Sequence, residues 1–149
     1  ARDYFAQKLA FVCRDIGDIA RYAVMHDWVY RTLKQYLPGP YCFILDATRQ
    51  VPKIVQSPRK TVGVRIPDHP VSLALVRELG RPIISSTAAR HGQESNPDPR
   101  EIDDEFKGLA MVIDAGAGGT QPTTVVDLTG DKPKLIRAGA GDPTPFETD

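Results

Sequence analysis

Cysteine, tryptophan and methionine are scarce in this chain: two, one and two among 149 residues. Cys13 and Cys42 each lie inside an apolar run, Phe11-Val12-Cys13 and Tyr41-Cys42-Phe43-Ile44-Leu45, where a thiol behaves as a small buried hydrophobe. A disulfide scaffold and a cysteine-based zinc site are thereby excluded. Charge of one sign is also lacking. Nineteen Lys plus Arg offset nineteen Asp plus Glu, so no net field draws nucleic acid to the chain unless its basic residues cluster locally. No run approaches the roughly 18 apolar residues of a membrane helix, and no leader-like segment is recognisable. The expectation is a cytoplasmic, reduced protein without membrane contact. The start at Ala1, with no initiator Met, leads us to expect a trimmed or incomplete version of a longer protein.

What is present suits one globular domain over residues 1–149: 41% hydrophobic and 26% charged residues. Residues 8–13 read as a strand, followed by a helix that Asp15 can cap and that carries Ile16, Ile19, Ala20 and Ala23. Asp27 can cap a second helix with Val29, Leu33, Tyr36 and Leu37 on one side, and Pro38-Gly39-Pro40 stops it. Residues 41–47 form an apolar run of strand length, covered on both faces. A strand over 61–66, a helix over 70–79 ending at Gly80, and a short strand over 82–86 follow. The polar stretch 89–97 has the composition of a mobile surface loop. Residues 99–106 suit a short acidic helix and 109–113 a strand running into a glycine-rich turn. Residues 123–128 and 134–137 read as two strands joined by a hairpin connection, hence antiparallel. About six strands and four helices in this order predict a mixed α/β sheet.

Several patterns bear on chemistry. The run Asp114-Ala-Gly-Ala-Gly-Gly-Thr120 has glycines that let amides approach an anion, yet lacks both the Gly-Lys-Ser/Thr of a phosphate loop and the third glycine of a dinucleotide fingerprint; a plain flexible turn is the alternative. His26, His69 and His91 lack metal-ligand spacing, and no Gly-x-Ser-x-Gly elbow signals a hydrolase. His69, between Asp68 and Pro70, suits a helix cap as well as an acid–base role. Hydroxyl and guanidinium groups gather at strand ends instead: Arg59, Lys60 and Thr61, then Arg65, Ser85-Ser86-Thr87, Thr123-Thr124 and Arg137. Hydroxyls and arginine forks hold phosphate oxygens, so converging strand ends would line an anion-binding crevice. The alternative is that threonine favours strands and arginine a solvated end.

Five blocks appear in a familiar order: Pro38-Gly-Pro-Tyr-Cys-Phe-Ile-Leu45, Lys60-Thr-Val-Gly-Val-Arg-Ile-Pro-Asp-His-Pro70, Pro82-Ile-Ile-Ser-Ser-Thr-Ala88, Pro122-Thr-Thr-Val-Val-Asp-Leu-Thr129 and Arg137-Ala-Gly-Ala-Gly141. Over almost its whole length the chain resembles the YrdC-like family of threonylcarbamoyl-AMP synthases. The Gln121-Pro-Thr-Thr stretch and the Gly141-Asp-Pro-Thr-Pro-Phe146 ending are similar to the YciO branch.

The resemblance implies a twisted mixed sheet with flanking helices and a concave basic face. It implies binding of ATP, with Mg²⁺, and of threonine and bicarbonate, giving threonylcarbamoyl-adenylate and pyrophosphate for tRNA threonylcarbamoyladenosine modification. It also implies contact with tRNA or double-stranded RNA. By it, Thr61 and Arg65 line the substrate cavity, Ser85 and Thr87 hold phosphate, Thr123 contacts the nucleotide and Arg137 pairs with its phosphates. Arg59, Lys60 and Arg65 would face RNA, and no covalent catalytic residue is needed. The chain departs from the family pattern in three places. The amino-terminal Pro-Thr-Asp/Glu-Thr strand and most of a Lys-x-Arg motif, of which Arg2 is a candidate remnant, have no counterpart. Ala89 stands for an expected asparagine and Cys13 for an expected histidine. Weak or absent turnover in the chain as given is therefore expected, and a non-catalytic RNA-binding module is the rival reading.

Overall fold

The apolar runs close into a mixed, open, twisted six-stranded sheet in a computed structural model of the chain, which describes residues 9–88, 97–116, 118 and 121–147. The described residues form two compact units, one running to Ser86 and resuming at Thr123, the other Thr87–Pro122.

The first unit holds the sheet. In chain order it comprises β1 (Ala10–Val12), α1 (Ile16–Tyr22), α2 (Asp27–Tyr36), β2 (Tyr41–Asp46), β3 (Thr61–Arg65), α3 (Pro70–Leu79), β4 (Ile83–Ser85), β5 (Thr124–Asp127), β6 (Lys134–Arg137) and a 3-10 turn, Thr144–Phe146. The strand order is β4-β1-β3-β2-β5-β6. β1 pairs parallel with β3 and β2 with β5, whereas β1–β4, β2–β3 and β5–β6 are antiparallel. The hairpin expected at the end of the chain is there, with a register shift at Val125/Val126.

Local signals account for the helix ends. The Asp15 carboxylate accepts from Asp18 N at 2.7 Å, satisfying a first-turn amide of α1. α2 starts at Asp27 itself, with His26 in the cap position and no side-chain cap bond, so the expected Asp27 cap is corrected; an acid in the first turn still opposes the positive end of the helix dipole. His69 Nδ1 accepts from Val71 N at 3.3 Å and caps α3, and Gly80 closes that helix in the left-handed region at φ 77°.

The strands' period of two divides the core. Phe11, Cys13, Tyr41, Phe43, Leu45, Val62, Val64, Ile66, Val126 and Leu128 point to one side and pack with Ile19 and Ala23 from the α1 end, with Val29, Leu33 and Leu37 around α2, and with Leu73 of α3. A smaller cluster of Ala10, Cys42, Ile44 and Val125, flanked by Ile136, lies on the opposite side, and no described helix contributes to it. β2 is thus buried on both faces, as its unbroken apolar run requires. Both cysteines are buried, and neither forms a disulfide. No described helix is long and apolar enough to cross a membrane.

The second unit contains α4 (Pro99–Glu105), capped by Asp98 accepting from Arg100 N at 2.9 Å. The strand expected over 109–113 does not form: Leu109, Met111 and Ile113 are 47%, 75% and 50% exposed, and among the described residues of this unit no strand lies beside them. An alternating apolar run without a partner ladder has nowhere to place its amides or its apolar face. In the glycine-rich turn, Asp114 accepts from Gly116 N at 2.9 Å. Residues 89–96, including Ala89 and His91, lie outside the described residues, as do Arg2, Gly119 and Thr120.

Candidate functional site

Register decides which side chains can share a ligand. The pairs Val12↔Arg65 and Val12↔Ile83 put Arg65 in one cross-strand row, which continues through Cys42, Val125 and Arg137 by the pairs Phe43↔Val64, Cys42↔Val125 and Val125↔Arg137. The next row holds Ser85, Ala10, Gly63 and Ile44. Thr123, two residues before Val125, has the same parity. Arg65, Ser85, Thr123 and Arg137 therefore fall on one face, that of the small Ala10–Cys42–Ile44–Val125 cluster and opposite to the helices. Arg65 and Arg137 are three strand spacings apart, about 14–15 Å.

Each of these groups has a distinct environment. Arg137 Nε and Nη2 donate to the Thr123 carbonyl at 3.0 and 2.7 Å, and Nη2 also to Thr123 Oγ1 at 3.0 Å, so the two residues form one unit across β5 and β6. Ser85 Oγ donates to Ala10 O at 3.1 Å. Arg65 Nε is buried and finds no hydrogen-bond partner among the described residues. A hidden guanidinium N–H without an acceptor costs on the order of 1–3 kcal/mol, more for a charged group. Asp18 Oδ2 is the other such atom, and nothing in the structure accounts for it.

The remaining sequence-predicted residues are placed elsewhere. Thr61 is buried at the far end of β3, four residues or about 13 Å from Arg65. Its hydroxyl lies 2.6 Å from Ser57 Oγ, within the turn that delivers Lys60 at φ 60° into the strand. Arg59 and Lys60 are exposed at that same end; Arg59 meets Asp127 at 3.4 Å and 62% of its side chain stays exposed. The three arginine and lysine side chains expected to face RNA together are thus split between the two ends of β3. Thr87 is exposed and belongs to the second unit. Cys13 is fully buried in the helix-covered core, away from the Arg65 face, and burial, with Asp18 and Asp15 nearby, pushes its thiol far up.

Sequence reasoning missed the apolar floor, Cys42 with Ile44 and Val125, and Thr124, grouped with Thr123 at a strand start, is fully buried. Strand parity was the available signal: in each strand the residues two away from a candidate share its face. The described residues contain no group of three His, Cys, Asp or Glu side chains able to hold a metal.

Comparison with known proteins fits this arrangement. The Sua5/YciO/YrdC family model, described as "Telomere recombination", matches residues 2–139. The chain belongs to the Sua5/YciO/YrdC family. Among its relatives, YciO of Escherichia coli strain K12, named an uncharacterized protein, is 40% identical over 138 residues, covering 91% of this chain and 67% of that protein. A putative threonylcarbamoyl-AMP synthase of Methanocaldococcus jannaschii is 34% identical over 141 residues, covering 93% and 65%. The chain therefore spans about two thirds of the length of these relatives. The crystal structure of E. coli YciO superposes with a TM-score of 0.88 at 34% identity, covering 98% of this chain and 75% of that one. P. abyssi Sua5 complexed with L-threonine gives 0.82 at 26%, covering 93% and 43%.

Proposed function

We propose that this family member binds ATP and threonine on the face of its sheet opposite α1, α2 and α3 and serves the synthesis of threonylcarbamoyl-adenylate. The observation that carries the reading is the buried, unpartnered Arg65 Nε on the same face as Ser85 and the Thr123–Arg137 pair. A carboxylate is an acceptor that suits a buried guanidinium N–H, because the paired charges offset part of the lost hydration. Arg65 would hold the amino-acid carboxylate, and the Thr123–Arg137 unit the nucleotide, with Arg137 against its phosphates. Ser85 would hold phosphate oxygens, and Thr61 would shape the far end of β3.

In this reading threonine and bicarbonate condense to the carbamate and water. A carbamate oxygen then forms a bond to the α-phosphorus as the bond to the leaving pyrophosphate breaks. No protein nucleophile is needed; the chain's residues orient the reactants and neutralise charge developing on the phosphates. Mg²⁺ would enter as the companion of the nucleotide and is given no protein ligand set.

Calorimetric titration of the chain with threonine and with MgATP tests this. Wild type should bind both. Arg65→Ala should weaken threonine by roughly 10- to 150-fold, the equivalent of about 1.5–3 kcal/mol for a charged hydrogen bond, and leave MgATP within a few-fold. Absence of threonine binding to wild type rejects the proposal. The rival, an RNA-binding module without the reaction, rests on exposed Arg59 and Lys60. Duplex RNA binding that weakens with salt, together with no threonine or ATP binding, would favour it.

A further inference from the structure

We propose that Thr124 is the positioning residue for Arg137, fixing the guanidinium from behind the sheet without touching a ligand. The consequence for nucleotide binding rests on the function proposed above; the positioning itself does not.

The β5–β6 ladder slips where Arg137 sits. Val126 faces Leu135 and Val125 faces Arg137, so two steps on β6 match one on β5, and regular pairing alone leaves the height of Arg137 along its strand weakly defined. The backbone after Arg137 needs another anchor. Thr124 supplies it: fully buried, its hydroxyl accepts from Gly139 N at 2.9 Å and donates to Gly141 O. One side chain thus satisfies a donor and an acceptor two and four residues beyond the arginine.

Consecutive strand residues point to opposite faces. Thr123 grips the guanidinium on the open face, and Thr124 grips the arginine's following backbone on the helix side. A second contact holds the same segment. Tyr41 Oη donates to Asp142 O at 3.0 Å, and Gly141 lies so close to the Tyr41 ring that an added Cβ would sit 2.7 Å from it. Arg137 is therefore held between a side-chain clamp and a backbone clamp contributed by two adjacent threonines.

The test uses ¹⁵N-labelled protein and the solvent exchange of the Arg137 Nε–H, which donates to Thr123 O in the clamped state. Thr124→Val keeps shape and strand preference but loses both hydrogen bonds; Thr124→Ser keeps both. Exchange should accelerate about tenfold in T124V and return most of the way to wild type in T124S. In parallel, MgATP affinity should fall by about the same factor in T124V, and T124V should add nothing once Arg137 is replaced by Ala. Unchanged Nε–H exchange in T124V, or an equal loss of ATP affinity with and without Arg137, overturns the proposal. If T124V does not fold, Thr124→Ala is read by the same criteria. If wild type binds no ATP, the functional reading falls while the exchange measurement still decides the positioning.

Discussion

Cys13 carries the clearest consequence of burial for a single side chain. It is fully enclosed, and desolvation, followed by the carboxylates of Asp18 and Asp15, raises its thiol well above the ordinary 9.0. In the unfolded chain the thiol ionises near that ordinary value, whereas in the folded chain it keeps its proton. The unfolded state then binds fewer protons, so stability is intact below about pH 9 and declines as pH rises further. Tyr41 acts in the same sense at higher pH, raised chiefly by desolvation and next by Asp142. The urea midpoint should fall between about pH 8 and about pH 10.5, and less steeply in Cys13→Ala; equal slopes for the two proteins would count against this account. Individual residues were unevenly legible in the sequence. The capping roles of Asp15 and His69 were readable because cap chemistry is local. The engagement of Thr61 with Ser57 was not readable as such, since a threonine at a strand start looks the same whether it faces a ligand or its own turn.

At the scale of elements, the carboxy-terminal segment is the least obvious contributor to stability. The 3-10 turn Thr144–Phe146 delivers Phe146 into the main core at 3% exposure, with ring centroids 4.9 Å from Tyr36 and 5.9 Å from both Tyr41 and Phe43. Asp142 accepts from Thr144 N at 3.0 Å and from the Thr144 hydroxyl, which holds its carboxyl below the usual range. Phe146→Ala should cost about 3 kcal/mol, the lower end for a buried aromatic because a chain end relaxes more easily. Equilibrium denaturation measures this, and a loss under about 1 kcal/mol would show that the turn is not part of the cooperative core. Strands and helices with a clear period were readable in the sequence. The failure at residues 109–113 shows the limit: periodicity announces a face to be buried, but a strand also needs a neighbour, and only the fold supplies one.

The whole molecule divides unevenly. All core residues lie in the unit that carries the sheet, and none of the described residues between 97 and 118 is buried. Amides there should exchange with deuterium well before those of β2, β3 and β5, because local opening costs little where few apolar contacts are lost. Peptide-level exchange by mass spectrometry checks this, and matching protection in both units would refute it. The strand order could not be read from the chain alone, because parallel neighbours β1–β3 and β2–β5 are set by long connections with no local signature. For that reason Arg65, Ser85, Thr123 and Arg137 acquire a common face only once register is known, and Thr87 is in the other unit.

The one-sided placement of helices divides mutational pressure in the sheet-bearing unit. Polar substitutions behind the sheet strike side chains whose value is their volume, so they should show up as lost protein. Changes to the charged and hydroxyl groups in front should leave well-folded material that has gone silent, and a library screened for abundance and for ligand capture would separate into those two populations.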